Sequence, residues 1–342
     1  MSEHHRWIRV GSGLLGALLV GMLALTVAVP AQSQTQSVVV YTALETDEVA
    51  KYLERARRDL PGMDIRLLRL STGELAARVL AEKDSPQADV IWGQAATSLI
   101  PLAKQGIIER YTPKGAYKIP NRFRDMTGMW AGIDLYVGAI AVNPVELRKR
   151  NLEAPRSWGD LAKPQYKGLI IMPNPTTSGT GFLHVVAVLT KFGWDKGWEY
   201  LAALDKNIAQ YTRSGGAPGR MVAAGEIPIA LSFDFAIISF KRQGFPVELI
   251  WPAEGTGYEL EANALVKGAK RPEAAKRFLD WALSVEAMQE YAQWKMGVTY
   301  PGVTAGPDVP ALHSVPLLKI DLGWAGENRQ RILEQWQRQF GR

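Results

Sequence analysis

The chain contains no cysteine. That absence excludes thiol nucleophiles, thiolate metal centres, disulfides and attachment to a lipid through a cysteine. Histidine is scarce, with four in 342 residues. Two of these are His4 and His5, which leaves His184 in a helical pattern and His313 in a proline-flanked loop, both read as structural. No Gly-Lys dipeptide occurs, so there is no phosphate-binding loop of the nucleoside triphosphatase kind. The H-E-x-x-H, S-x-x-K and G-x-S-x-G patterns are likewise missing. A literal G-x-G-x-x-G falls at Gly11, Gly13 and Gly16, but no strand precedes it, so it carries no dinucleotide reading. A second near match at Gly179 and Gly181 has His184 where the third glycine belongs. Nor is there a run of lysines or arginines. The formal charge of +6 is spread along the chain, which argues against a nucleic-acid partner and favours an anionic ligand or surface. We find no internal repeat and no low-complexity segment.

What is present starts with a long apolar run. Arg6 and Arg9 precede "GLLGALLVGMLALTVAV", residues 13–29, and "PAQSQTQS" follows. A basic start, an apolar middle and a small-residue exit predict a secretory signal peptide over residues 1–31. The competing reading is an uncleaved anchor, for which seventeen residues is short. Removing residues 1–31 leaves 311 residues with a formal charge of +5. An exported chain with no lipidation cysteine is expected in the bacterial periplasm, as a freely diffusing monomer.

The remaining chain alternates short apolar strands with amphipathic helices. "VVVYTA", "DIRLLRL" and "ADVIWG" read as strands, each followed by a helical pattern. "YVGAIAVNP" begins a second series that continues through "KGLIIMPNP", "GRMVAAGEIPIALSFDF" and "FPVELIWPAEG". After Glu261 the pattern reads as helical, ending in "NRQRILEQWQRQF". Repeated β-α-β units predict an α/β fold with two lobes, each a mostly parallel sheet flanked by helices. Crossings near 135–143 and 245–260 place residues 32–138 and 262–342 in a discontinuous first lobe and residues 139–261 in the second. Two crossing segments make a cleft that closes like a hinge.

Candidate site residues cluster at strand ends. "MPNPTTSGTGF", residues 172–182, leaves a strand and opens a helix. Thr177 or Ser178 can cap that helix, Gly179 and Gly181 let backbone amides approach closely, and Thr177, Ser178 and Thr180 add hydroxyl donors. Such a helix start seats an anion without an arginine. It can equally be an ordinary glycine-rich turn. "LSTGE" offers the same chemistry in the first lobe through Ser71 and Thr72, with Glu74 at capping-box spacing. Thr42 ends a third strand. The acids Glu45, Asp134 and Asp234 lie near other strand ends and could meet a cationic tail, while Trp92 and Tyr211 are candidate cleft-wall aromatics.

At these residues the chain resembles the substrate-binding proteins of bacterial ABC importers. It is most similar to the 2-aminoethylphosphonate-binding family, a branch near the ferric-ion binders. The matching segments are "VYTALETDEV", "STGELAARVLAEKDSPQADVIWGQAATS", "NPTTSGTGF", "NIAQYTRSG", "MVAAGEIPIALSF" and "WAGENRQRILEQW", spanning residues 40–336. The resemblance implies a non-enzymatic periplasmic receptor of the type II two-lobed fold, without a cofactor. It would carry a zwitterionic phosphonate to an inner-membrane permease driven by a separate ATPase. The phosphonate is then expected on Ser178, Gly179 and Thr180, with Thr177 beside them, from one lobe, and on Thr42, Ser71 and Thr72 from the other. Asp234 is expected to pair with the ammonium, and chemistry adds Glu45 to it. The chain departs from the family at "SFDF", where Asp234-Phe235 replaces the usual glutamate-tyrosine pair. The ferric-ion relatives hold their metal through adjacent tyrosines, and no two tyrosines adjoin here. No metal site is therefore expected. The alternatives are a ferric-ion or polyamine receptor of the same fold, or a secreted hydrolase of phospho-compounds using Asp234 or His184 as base.

Overall fold

Eleven strands carry the architecture of this computed structural model, which describes residues 36–307 and 309–341. They are β1 (Gln36–Thr42), β2 (Met63–Arg69), β3 (Val90–Ala95), β4 (Ile108–Glu109), β5 (Ala131–Val142), β6 (Ile170–Pro173), β7 (Ile208–Thr212), β8 (Ile229–Phe233), β9 (Glu248–Ile250), β10 (Tyr258–Val266) and β11 (Gly297–Val298). Hydrogen bonding runs in the order β2-β1-β3-β10-β5-β8-β6-β7, with β4 beside β10, and β9 and β11 beside β5. The expected signal peptide and the G-x-G-x-x-G of residues 11–16 lie outside the described residues. Among the described residues no helix is long and apolar enough to cross a membrane.

The fold is the expected two-lobed α/β arrangement, with a curled sheet that is mixed within each lobe. In the first lobe β1 pairs in parallel with β2 and β3, and β10 runs antiparallel to β3. In the second, β6 pairs in parallel with β7 and β8, and β8 runs antiparallel to β5. The twelve-residue β5 joins them. Its first half pairs with β10 and its second half with β8 and β9. Every residue of β5 is buried, as a central strand covered on both faces requires. Gly138 N–H donates to Gly257 O at 3.0 Å and the Gly138 carbonyl accepts from the Thr256 hydroxyl at 2.7 Å, where the chain passes between lobes a second time. The stretch around Glu261, which reads as the approach to a helix, is strand β10. Over residues 258–264 apolar and polar side chains alternate with the period of a strand, although both faces are buried.

Each lobe has its own core. Val38, Val40, Trp92, Phe278, Trp281 and Tyr291 gather in the first. Trp92 is wholly buried there, 5.3 Å from the Phe278 ring, and its Nε1–H donates to the Tyr291 hydroxyl at 3.1 Å. Ile140, Met172, Phe182 and Trp198 gather in the second. The helix Arg329–Phe340, which sequence groups with the first lobe, sinks Ile332, Trp336 and Phe340 into that second core. At about 1.5–3 kcal/mol for each large side chain removed from water, those three fasten the C-terminal helix across the lobes.

Candidate ligand-binding site

The site is built from helix beginnings. Ser71 stands in extended conformation before the helix Thr72–Ala81 and closes a capping box with Glu74. Glu45 does the same with Glu48 at the helix Thr46–Asp59. Ser178 caps the helix Gly179–Phe192, its hydroxyl accepting from Gly181 N–H at 3.3 Å. Gly215 precedes the helix Gly216–Ala223, and Phe233 precedes Asp234–Arg242. All five beginnings meet at one pocket of about 360 Å³ between the lobes. Its walls include Arg69, Glu45, Ser71 and Thr72 from the first lobe, Ser178, Gly179, Thr180 and Gly215 from the second, and Tyr136, Phe233, Phe235 and Glu261. Five positive dipole ends, a guanidinium and five hydroxyl-bearing side chains turned to one space favour a negative occupant.

The lobes touch across this pocket. Gly73 N–H donates to Thr177 O at 2.8 Å, and Arg213 pairs with Glu74. Gly73 must be glycine for that approach, since a Cβ there would lie 2.1 Å from Thr176 O. Gly179 is equally confined, a Cβ lying 2.7 Å from the Thr72 hydroxyl. Beyond Glu45 and Phe235 the cleft continues into an outer chamber of about 430 Å³, lined by Arg220, Phe240 and Trp294 among others.

Sequence reasoning singled out twelve positions, and six of them line the pocket: Glu45, Ser71, Thr72, Ser178, Gly179 and Thr180. The other six lie elsewhere, Asp134 among them, buried beside Lys295. Thr42 is buried beneath, its hydroxyl accepting from Leu44 N–H at 3.1 Å. Thr177 turns aside and donates to Arg213 O at 2.8 Å. Asp234 is sealed behind the wall, where one carboxylate oxygen accepts from Val137 N–H at 3.0 Å. Trp92 belongs to the first-lobe core and not to the cleft wall. Tyr211 faces the C-terminal helix, 5.3 Å from the Trp336 ring, with its hydroxyl on Asp205.

Three features were missed. Arg69 ends β2 and brings its guanidinium to the Glu45 carboxylate at 2.8 Å. Burial raises the Glu45 carboxyl above its ordinary value, with Arg69 the largest opposing influence. Tyr136 lies on β5, and its phenol pairs with the Thr180 side chain. Behind Glu261 sits a wholly buried Lys295, 2.7 Å from Glu261, 2.8 Å from Glu48 and 3.8 Å from Asp134. Burial lowers the Lys295 ammonium, but the three carboxylates outweigh it and the net shift is upward. Among the described residues no group of three or more histidines or acids is placed to hold a metal ion.

Such a cleft between two hinged α/β lobes, with its polar groups at helix beginnings, defines a solute-binding protein. The family model of the bacterial extracellular solute-binding proteins matches residues 85–322, and the chain belongs to that family. An uncharacterised protein of Haemophilus influenzae is 32% identical over 330 residues, covering 92% of this chain and 94% of its own length. A probable ABC transporter periplasmic-binding protein of Sinorhizobium fredii, y4fP, is 28% identical over 278 residues, covering 79% of this chain and 75% of its own. Among solved structures, the periplasmic binding protein AfuA from Actinobacillus pleuropneumoniae, with exogenous fructose-6-phosphate bound, superposes with a TM-score of 0.85. The two are 28% identical, over 90% of this chain and 99% of AfuA. The protein is a periplasmic substrate-binding receptor of the ABC importer type, in a family of solute binders and not of enzymes.

Proposed function

We propose that the cargo is a small organic molecule with a phosphoryl or phosphonyl head, taken between the lobes and handed as a monomeric receptor's ligand to a membrane permease. One observation carries the reading: Arg69, the hydroxyls of Ser71, Thr72, Ser178 and Thr180, and five helix beginnings face a single interlobe pocket. The head would rest on Thr72, Ser178, Gly179 and Thr180, with Arg69 at its side. The outer chamber past Phe235 gives room for a tail.

A phosphate ester with a hydroxylated tail, such as a sugar phosphate, is the better supported cargo. AfuA, 28% identical over 90% of this chain, was solved with fructose-6-phosphate. Of the two acids expected on an ammonium, Glu45 is engaged by Arg69 and Asp234 is walled off. The second reading is 2-aminoethylphosphonate, favoured by the sequence resemblance and by the Glu45 and Glu261 carboxylates on the pocket wall. Ferric ion fits less well, since Tyr136 is the single phenol in the lining. A polyamine would meet Arg69 and five positive helix ends. Calorimetric titration with fructose 6-phosphate, 2-aminoethylphosphonate, inorganic phosphate, ferric citrate and spermidine tests this ranking. Binding of a phosphorylated compound at micromolar or tighter affinity supports it, and heat from only spermidine or iron overturns it.

A further inference from the structure

The proposed seat sets an anion against a carboxylate. Glu261 projects from β10 into the pocket wall, 6% exposed, with one oxygen 2.7 Å from Lys295 Nζ. Lys295 lies 3.6 Å from the centroid of the Phe235 ring and also binds Glu48, itself held by the Tyr52 hydroxyl at 3.2 Å. Asp134 is the cross-strand neighbour of Glu261 on β5; its carboxyl stands beside that of Glu261, and neither of its oxygens meets any other hydrogen-bond donor. Asp234 faces the same cluster from the start of its helix, with one oxygen unpartnered. Tyr291 approaches from the first-lobe core, and Glu45, Arg69 and Tyr136 lie around the pocket, with Arg220 beyond Glu45.

This arrangement gathers three carboxylates, Glu48, Asp134 and Glu261, within 3.8 Å of one ammonium, with Asp234 close by, and of these Glu261 reaches the pocket. They cannot all be ionised together, because like charges at this spacing in a low dielectric disfavour the charged form. Burial raises Glu48 to about 7, Asp134 and Asp234 to about 6, and Glu261 well above the ordinary carboxyl range. A phosphoryl dianion placed against an ionised Glu261 would add a fifth negative group. A proton held between them turns that contact into a charge-assisted O–H···O bond. Lys295 keeps Glu48 and Asp134 as counter-charges in either case.

We infer that the seat binds its anion together with one proton, held on Glu261 against a head-group oxygen, so that Glu261 is a ligand-contacting residue. This inference rests on the phosphoryl reading of the pocket. Its consequence is an affinity that falls with rising pH, by about tenfold per unit once Glu261 is ionised in the free protein. With a second pKa near 6 a phosphate monoester is mostly a dianion above pH 7, so a proton taken up on binding there lands either on Glu261 or on the head group, and the Glu261→Gln variant distinguishes the two.

The experiment is calorimetric titration of the full chain with fructose 6-phosphate and 2-aminoethylphosphonate between pH 7.0 and 9.0, in buffers of different ionisation enthalpy. The expected result is a Kd that rises steadily over this window, with the buffer dependence approaching one proton taken up at pH 9. Glu261→Gln supplies a donor at every pH and is expected to bind with a flat pH profile and no proton uptake. A wild-type Kd that is flat across the window, with heats independent of buffer, overturns the inference and leaves the phosphoryl reading standing. An unaltered pH slope in a folded Glu261→Gln protein overturns the assignment to Glu261. No heat from either compound at any pH overturns the reading of the seat and this inference with it. Should the variant fail to fold, the absence of proton uptake by the wild type at pH 9 still overturns the inference.

Discussion

Replacing Lys295 with methionine removes the one cation from a cluster that water does not reach. The side chain is wholly buried and holds Glu48 at 2.8 Å, Glu261 at 2.7 Å and Asp134 at 3.8 Å. Methionine fills a similar volume, so packing is largely kept and the loss is electrostatic. Breaking a buried pair by removing one partner costs about 3–5 kcal/mol. At about 2.1 cal/mol/K of unfolding entropy per residue over the described chain, the midpoint should fall by roughly 5–8 °C at pH 8. The direction with pH follows from the carboxyls. Glu48 and Asp134 already titrate above their unfolded values, at about 7 and about 6. Their preference for the proton in the folded state is fully present below the unfolded carboxyl value and is lost as pH rises through those folded values. Without Lys295 the folded values climb further, so the deficit should shrink at pH 5, where the acids carry protons, and widen at pH 8. Differential scanning calorimetry at the two pH values measures it. A midpoint within 2 °C of wild type at pH 8 would refute the reasoning.

Other expectations concern closure, the seat and the buried histidine. Gly73→Ala puts a Cβ 2.1 Å from Thr176 O across the cleft, so the lobes cannot meet; affinity should drop at least about tenfold while the unfolding midpoint stays level, because alanine favours the helix. Both are read by calorimetry. Thr180→Ala should weaken ligand binding by about 1–3 kcal/mol, whereas Ser178→Ala should do so and also lose about 1 kcal/mol of stability with its helix cap. Burial lowers His184 to about 4, and its Nε2 donates to Ser232 O at 2.8 Å. Its folded value lies below its unfolded one, so the stability it supports is present above pH 6.5 and fades as pH falls toward 4. His184→Gln should therefore lose less midpoint than wild type between pH 7 and pH 4.5, and parallel curves would count against this.

Much of the fold is legible in the sequence because local chemistry and long-range order agree there. The strand-helix alternation, the capping box at Ser71 and Glu74, and the cap at Ser178 each follow from spacing alone. Spacing cannot say which strand neighbours which. Asp234 and Thr42 sit at strand ends just as Ser178 does, yet their side chains turn to Val137 N–H and to Leu44 N–H inside the lobes. Trp92 lies on a strand whose six residues are all buried, so its aromatic ring reports packing and not the cleft. Arg69 reads as one more charge in "DIRLLRL", and only the register of β2 beside β1 brings it to Glu45. Lys295 and its four acids come from five separate segments. No periodicity announces such a group, although the apolar-polar alternation of residues 258–264 does mark the strand that supplies Glu261.

A crystal structure of the protein with a bound phosphorylated ligand tests the central claim most directly, through the position of the phosphorus atom. The account predicts phosphorus within hydrogen-bonding reach of Thr72 and of residues 178–180, with Arg69 alongside. Phosphorus in the outer chamber beside Arg220, or anywhere outside the pocket that Ser71 and Ser178 share, would contradict it.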